Sequence, residues 1–278
     1  MINSDAIRQA AEAIDQADGL IITAGAGMGV DSGLPDFRGD SGFWSAYPAL
    51  GQAGLHFHDI ACATTFLDDP TLAWGFYGHR LRLYRETIPH PGFAILREFA
   101  RYKEHGAFVY TSNVDGQFQK AGFPDSEVVE CHGSIHFLQC QNGCLEHIWP
   151  ATAFQPEVDQ TRCRLLNSPP RCPQCGEIAR PNIVMFEDLQ WLDRRFRERE
   201  ARLKTWLASI RHLVVIEIGA GGTIPTVRHY GERQSGFLIR INPREADLPA
   251  GCQGVGLALP GLVALSQIQG NLRRRYAT

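Results

Sequence analysis

The chain has 278 residues, 44% hydrophobic and 21% charged, with a formal net charge of -3. That length suits one large domain, or a large domain with a small one inserted, and can bury a sizeable core. The balance of charge leaves no basic footprint for nucleic acid, and no uninterrupted apolar run is long enough to cross a bilayer.

The N-terminal stretch MINSDAIRQAAEAIDQADG is acidic and lacks an apolar signal core, so a cytoplasmic location is expected. Ile7, Ala10, Ala11, Ile14 and Ala17 recur at helical spacing, which predicts an amphipathic helix ended by Gly19. Residues 20–24 read as a buried strand leading into the glycine loop GAGMG. Residues 43–67 mix aromatics and glycines without a period and suit a loop with short helices. Helices are expected over 71–87, ended by Pro89 and Pro91, and over 93–103. Residues 107–111 and 128–131 read as strands. From 138 to 180 the character changes to cysteines and prolines with few long apolar runs. A helix is expected over 192–209, strands over 213–218 and 237–241, and a closing helix over 260–275. Apolar strands alternating with helices argue for a parallel sheet covered on both faces. The cysteine-rich stretch interrupts that alternation and reads as an inserted module.

A strand followed by Gly25-Ala26-Gly27-Met28-Gly29 can turn tightly and bring backbone N–H groups against a pyrophosphate, although such turns often only make a corner. Asp36-Phe37-Arg38 arrives much sooner than the distal acid of a dinucleotide fingerprint. The triplet suits a loop that folds over a cofactor, with Phe37 shielding a reactive centre and Arg38 reaching phosphate. TSNVDG, from Thr111, follows the second strand and puts Asn113 and Asp115 where parallel sheets bind ligands, or makes a plain turn. His132, just past the third strand, is placed to act as a general base. Cys131 beside it points to the opposite face and is not read as a nucleophile.

Eight cysteines in an intracellular chain point to metal or free thiols before disulfides. Cys140, Cys144, Cys172 and Cys175 form two knuckles, which suit a closed tetrahedral Zn2+ site with no open position for substrate.

Taken together, Gly25 to Gly39, Thr111 to Gly122, Cys131-His132-Gly133 and the two knuckles follow the order seen in sirtuins, which the chain resembles over nearly its whole length. RPNIVMFED, IGAGGTIP, INP and GVGLALPGL extend the resemblance to the C-terminal half. The resemblance implies a Rossmann-like NAD-binding domain of residues 1–42, 88–138 and 181–278, a helical cofactor-loop module of 43–87 and a zinc-binding module of 139–180. It implies NAD-dependent removal of acyl groups from lysine in proteins or peptides, with NAD consumed and nicotinamide and O-acyl-ADP-ribose as products. Carried over residue by residue, Gly25, Ala26, Gly27, Asp36, Phe37, Arg38, Ser112, Gly219 and Asn242 bind the cofactor, Asn242 on its adenosine side. Asn113 and Asp115 belong to the pocket for nicotinamide and its ribose, and His132 is the base. Val184 and Phe186 match the segment on which the acyl-lysine peptide lies as an added strand. Tyr77 and Arg80, at i and i+3 of one helix, match a pair that in some sirtuins takes succinyl, malonyl or glutaryl lysine.

The chain also departs from the family. Gly29 replaces a serine, Ser112 a glutamine, Gln117-Phe118 a leucine-histidine type pair, Glu187 a glycine, and Ala220-Gly221 a threonine-serine pair. These departures keep two rivals open: an NAD glycohydrolase or ADP-ribosyltransferase, and a zinc-stabilised NAD- or peptide-binding protein without turnover.

Overall fold

The computed structural model describes residues 4–35, 39–144 and 146–276. Its strands are β1 (Gly19–Ala24), β2 (Ala107–Thr111), β3 (Val128–Glu130), β4 (Gly133–Cys140), β5 (Trp149–Pro150), β6 (Val158–Asp159), β7 (Arg164–Leu165), β8 (Ala179–Ile183), β9 (Leu213–Ile218), β10 (Phe237–Ile241) and β11 (Gly254–Leu257). Six of them form one sheet in the order β11-β10-β9-β1-β2-β3, with every neighbouring pair parallel. The strand order reverses between β1 and β9, and a doubly wound sheet opens its ligand crevice at such a point.

Both faces of this sheet are covered, as its uniformly apolar strands require. Leu20, Ile22 and Ala24 of β1 pack in one core with Val109, Val214 and Ile216, against helices Ser4–Gln16, Pro91–Arg101 and Gly261–Tyr276. The alternate residues Ile21, Phe108, Tyr110, Val129 and Val215 join Leu203 of helix Arg194–Leu207 in a second core on the other face. Ala6, Ile7, Ala10, Ala11 and Ile14 are the buried stripe of the first helix.

Pro91, read from the sequence as a stop, is instead the first residue of the next helix. His90 caps that helix, its Nδ1 accepting from the Gly92 N–H at 3.0 Å. The chain between β1 and β2 also carries the short helices Gly39–Ala46, Pro48–Gln52, Phe57–Ile60 and Thr65–Asp68 and the long helix Pro70–Glu86. The long helix opens on Pro70, with the Asp69 carboxylate accepting from the Leu72 N–H. A Cβ at its Gly75 would lie 2.1 Å from the Cys163 carbonyl oxygen, so this glycine lets the β6–β7 turn seat on the helix. The sequence pattern missed strand β11, helix Thr226–Glu232 and the small antiparallel sheet β5-β4-β8. Among the described residues no helix is long and apolar enough to cross a membrane.

Candidate active site

The crevice begins with two loops held against each other. After β1 the Gly25 N–H donates to the Ile218 carbonyl at 3.0 Å, and the Gly27 N–H donates to the Gly219 carbonyl at 3.1 Å. A Cβ at Gly25 or Gly27 would stand 2.7 Å from the Gly219 backbone, and Gly219 itself has φ +62°. The glycines are therefore required by loop-on-loop packing as well as by any phosphate approach.

The next wall comes from the ends of β2 and β3. Thr111 Oγ1 donates to the Ala24 carbonyl at 2.8 Å and accepts from the Asn113 N–H at 3.0 Å, while Asn113 Nδ2 donates to the Gly25 carbonyl at 3.0 Å. Asn113 thus fastens the glycine loop to the β2 end. Burial pushes the Asp115 carboxyl up to about 6, against the opposing pull of the Gln117 N–H at 2.9 Å and of Arg80. His132 follows β3, and burial holds its imidazole below the ordinary value. Its carbonyl accepts from the Val184 N–H at 3.0 Å. Cys131 belongs to the core on the other side of the sheet, where burial pushes its thiol up to about 12.

The third wall continues β8. The Phe186 N–H donates to the Ala61 carbonyl at 3.0 Å, and the Phe186 ring lies 4.4 Å from that of His58. Asp188 anchors this segment through a buried ion pair with Arg180 of β8 at 2.8 Å. Between them Glu187 has φ 55°, a left-handed conformation that suits glycine. From helix Pro70–Glu86 come Tyr77 and Arg80, both buried. Arg80 Nε donates to the Tyr84 hydroxyl at 3.0 Å, and its guanidinium lies between 5.2 and 5.7 Å from the centroids of Phe76, Tyr77 and Tyr84. Burial pushes the Tyr77 hydroxyl up to about 12.

These walls enclose a cleft of about 740 Å³. It brings together the sequence-predicted residues Gly25, Ala26, Ser112, Asn113, Asp115, His132 and Gly219, and adds Tyr77, Arg80, Val184 and Phe186. Gly27 is not in the lining and acts through its bond to Gly219. Asn242 is fully buried behind the wall, where its Nδ2 donates to the Ala220 carbonyl at 2.9 Å. Asp36, Phe37 and Arg38 lie outside the described residues. Sequence reasoning missed Glu245, His58 and Thr223, all in the lining. Glu245 had a readable signal, an acid just past the end of an apolar strand. Thr223 puts a hydroxyl-bearing residue into the loop where Ala220-Gly221 lack one.

The four predicted metal ligands also come together. The sulfurs of Cys140, Cys144, Cys172 and Cys175 all lie within 4.8 Å of one another, with neighbouring pairs at 3.4, 3.5 and 3.6 Å. A tetrahedron with Zn–S near 2.3 Å has edges of about 3.8 Å, so four thiolates here fit Zn2+ and leave no ligand position open. Cys140 ends β4 while Gly133, beside His132, begins it, so the length of that strand, roughly 20 Å, separates the cluster from the base. The cluster's place is structural.

Residues 25–209 match the sequence profile of the Sir2 family. An NAD-dependent protein deacylase of Thermococcus kodakarensis is 30% identical over 238 residues, covering 84% of this chain and 83% of its own. One from Pyrococcus furiosus is 29% identical over 224 residues, 80% of each chain. Among solved structures, a Sir2 homologue in complex with NAD superposes with a TM-score of 0.72 at 20% identity, over 96% of this chain and 94% of that one. A Sir2 protein bound to a myristoylated histone peptide gives 0.61 at 18% identity, over 98% of both chains. At such identity these two likenesses are of fold.

Proposed function

This chain belongs to the Sir2 family, and we propose that it removes acyl groups from protein lysine side chains with consumption of NAD and one water, yielding nicotinamide, free lysine and O-acyl-ADP-ribose. The observation that carries this reading is the pairing of His132 with Val184: the His132 backbone carbonyl accepts from the Val184 N–H, which sets a residue with a desolvated imidazole beside the segment that continues β8 in one cleft. NAD, when bound, supplies the ribose carbon that accepts the acyl oxygen as nicotinamide leaves. The chain's residues hold and prepare that reaction. The interlocked glycine loops cradle the pyrophosphate. Asn113 and Asp115 stand at the nicotinamide and its ribose. His132, neutral at neutral pH, draws a proton from a ribose hydroxyl, a role worth roughly 10²–10⁴ in rate. Val184 to Phe186 receive the acylated peptide as an added strand. Leu34, Phe57 and Met185 line the same cleft and keep water from the reacting carbon.

Arg80 extends the reading to the acyl group. A buried guanidinium in the cleft wall, flanked by Tyr77 and Tyr84, favours an acyl chain ending in a carboxylate over a neutral one. Mass spectrometry with NAD and acetyl-, succinyl- or unmodified-lysine peptide tests both parts. Acyl-ADP-ribose is expected with acylated peptide alone, faster from succinyl-lysine, and lost in His132→Ala. Arg80→Met should lower the succinyl-to-acetyl rate ratio. Nicotinamide released equally without acylated peptide would replace this reading with NAD glycohydrolysis.

A further inference from the structure

We propose that Glu187, at the rim of the cleft, selects peptides that carry a lysine or arginine next to the acylated lysine; the inference rests on the deacylase reading above. A side chain stands there against the preference of its backbone. Glu187 has φ 55°, in the left-handed region that glycine enters freely and a residue with a Cβ does not. Non-glycine residues in that region cluster at ligand-binding segments, where the strain accompanies a function.

The fold itself makes no use of the Glu187 side chain. It is exposed, and its carboxylate enters no hydrogen bond or ion pair among the described residues. The next acid shows the contrast. The Asp188 side chain is 1% exposed and is held by Arg180 at 2.8 Å. Asp188 is therefore engaged inside the segment, while Glu187 turns a negative charge to solvent.

The position of Glu187 gives that charge a ligand. Val184 and Phe186 line the cleft, and Glu187 is the first residue beyond the lining. The Val184 N–H donates to the His132 carbonyl and the Phe186 N–H to the Ala61 carbonyl, so alternate amides of the segment bind the protein behind it. The Glu187 backbone makes no hydrogen bond among the described residues, which leaves its N–H and carbonyl to a strand laid on the segment. A substrate strand whose acyl-lysine enters the cleft passes over Phe186, and its successive residues lie about 3.3 Å apart. The residues flanking the acyl-lysine thus come within reach of the Glu187 carboxylate.

The sign of the preference follows from the charges around the cleft. Arg80 is the one lysine or arginine in the lining, and it is buried. The lining acids are Asp115, which is buried, and Glu245, which is already paired with Arg228. The lining therefore offers no exposed lysine or arginine to neutralise Glu187. A flanking Lys or Arg supplies a charge-assisted hydrogen bond to the rim carboxylate, whereas a flanking Asp or Glu meets like charge.

Steady-state kinetics followed by mass spectrometry, with NAD and a series of acetyl- and succinyl-lysine peptides, test this. Within the series the residues on either side of the acyl-lysine are Arg, Gln or Glu. The wild type should rank them Arg above Gln above Glu in kcat/KM, each step up to about fivefold, as an exposed ion pair gives. The ranking should lie in KM with kcat little changed, and should fade between about 0.1 M and about 1 M salt. Glu187→Gln, which keeps a side chain on the same backbone, should erase the ranking, and Glu187→Lys should reverse it. A ranking that persists in Glu187→Gln, or a wild type indifferent to the flanking charge, would overturn the inference and leave the deacylase reading standing. A chain that deacylates none of the peptides defeats both.

Discussion

Asp188 tests how the peptide-receiving segment is held. Its carboxylate meets the Arg180 guanidinium at 2.8 Å, with 1% and 0% of the two side chains exposed. It also accepts from the Gln190 N–H at 3.0 Å and the Met185 N–H at 3.4 Å. Arg180 Nη1 reaches the Ile183 carbonyl at 3.3 Å, and its Nε is buried without a partner among the described residues. Asp188→Ala removes the counter-charge from a fully buried guanidinium and releases two backbone amides beside Val184 to Phe186. Losing one partner of a buried pair costs about 3–5 kcal/mol. Breaking the exposed pair Arg273–Glu98, at 3.0 Å with 65% and 33% exposure, should cost about 0–1 kcal/mol. Urea unfolding of Asp188→Ala and Arg273→Ala reads both. Peptide KM should also rise in Asp188→Ala, since the segment loses its anchor. Arg180→Met with Asp188→Leu should recover part of the stability, because it removes the unpaired buried charge while the two amides stay without their acceptor. A loss below about 1 kcal/mol in Asp188→Ala, or a double variant no better than the single, would refute the reasoning.

Three further outcomes are expected. Because burial holds His132 below its ordinary value of 6.5, the imidazole stays neutral into mildly acidic pH, and the acid limb of kcat/KM should fall below 6.5; a limb above it counts against His132 as the base. Zinc analysis should give one ion per chain, and chelation or Cys172→Ser should expose residues 139–180 to protease, while metal-free protein with unchanged protection would remove the structural role. Glu187→Gly should raise stability by about 1 kcal/mol, because a side chain at φ 55° carries the left-handed penalty that glycine escapes; a lower melting temperature would show that the Glu187 side chain contributes more than its backbone costs.

The parts legible in the sequence were those whose signal is local. The glycine loop after an apolar strand, the two cysteine knuckles and His132 at a strand end each lie within a few neighbouring residues. β8 was missed because its sequence, ARPNI, puts Arg180 and Asn182 in fully buried positions. Those side chains pair with Asp188 and Gln139, and no hydrophobic pattern reports such pairing. Its partner β4 lies about forty residues upstream, so the pairing is non-local as well. Asn242 was read as an adenosine-side contact; in the fold it is fully buried at the end of β10 and holds the backbone of Glu245, a contact no local sequence pattern reports. Tyr77 and Arg80 share a helix face by spacing, and helix Pro70–Glu86 turns that face into the cleft.

The interlocked loops also determine where this enzyme can be changed. Gly25, Gly27 and Gly219 each stand where one added methyl would strike the opposite loop's backbone. Substituting any of them singly pushes the loops apart, so an engineering library that randomises these positions fills with dead variants. Gly222, three residues beyond Gly219, meets no such barrier, since an added Cβ there would lie 3.4 Å from the Glu245 carboxylate, an ordinary contact. Thr223, next in the chain, lines the cleft. Variation in cofactor affinity, whether by mutation in nature or by design, is channelled into this short stretch, while the three glycines stay frozen.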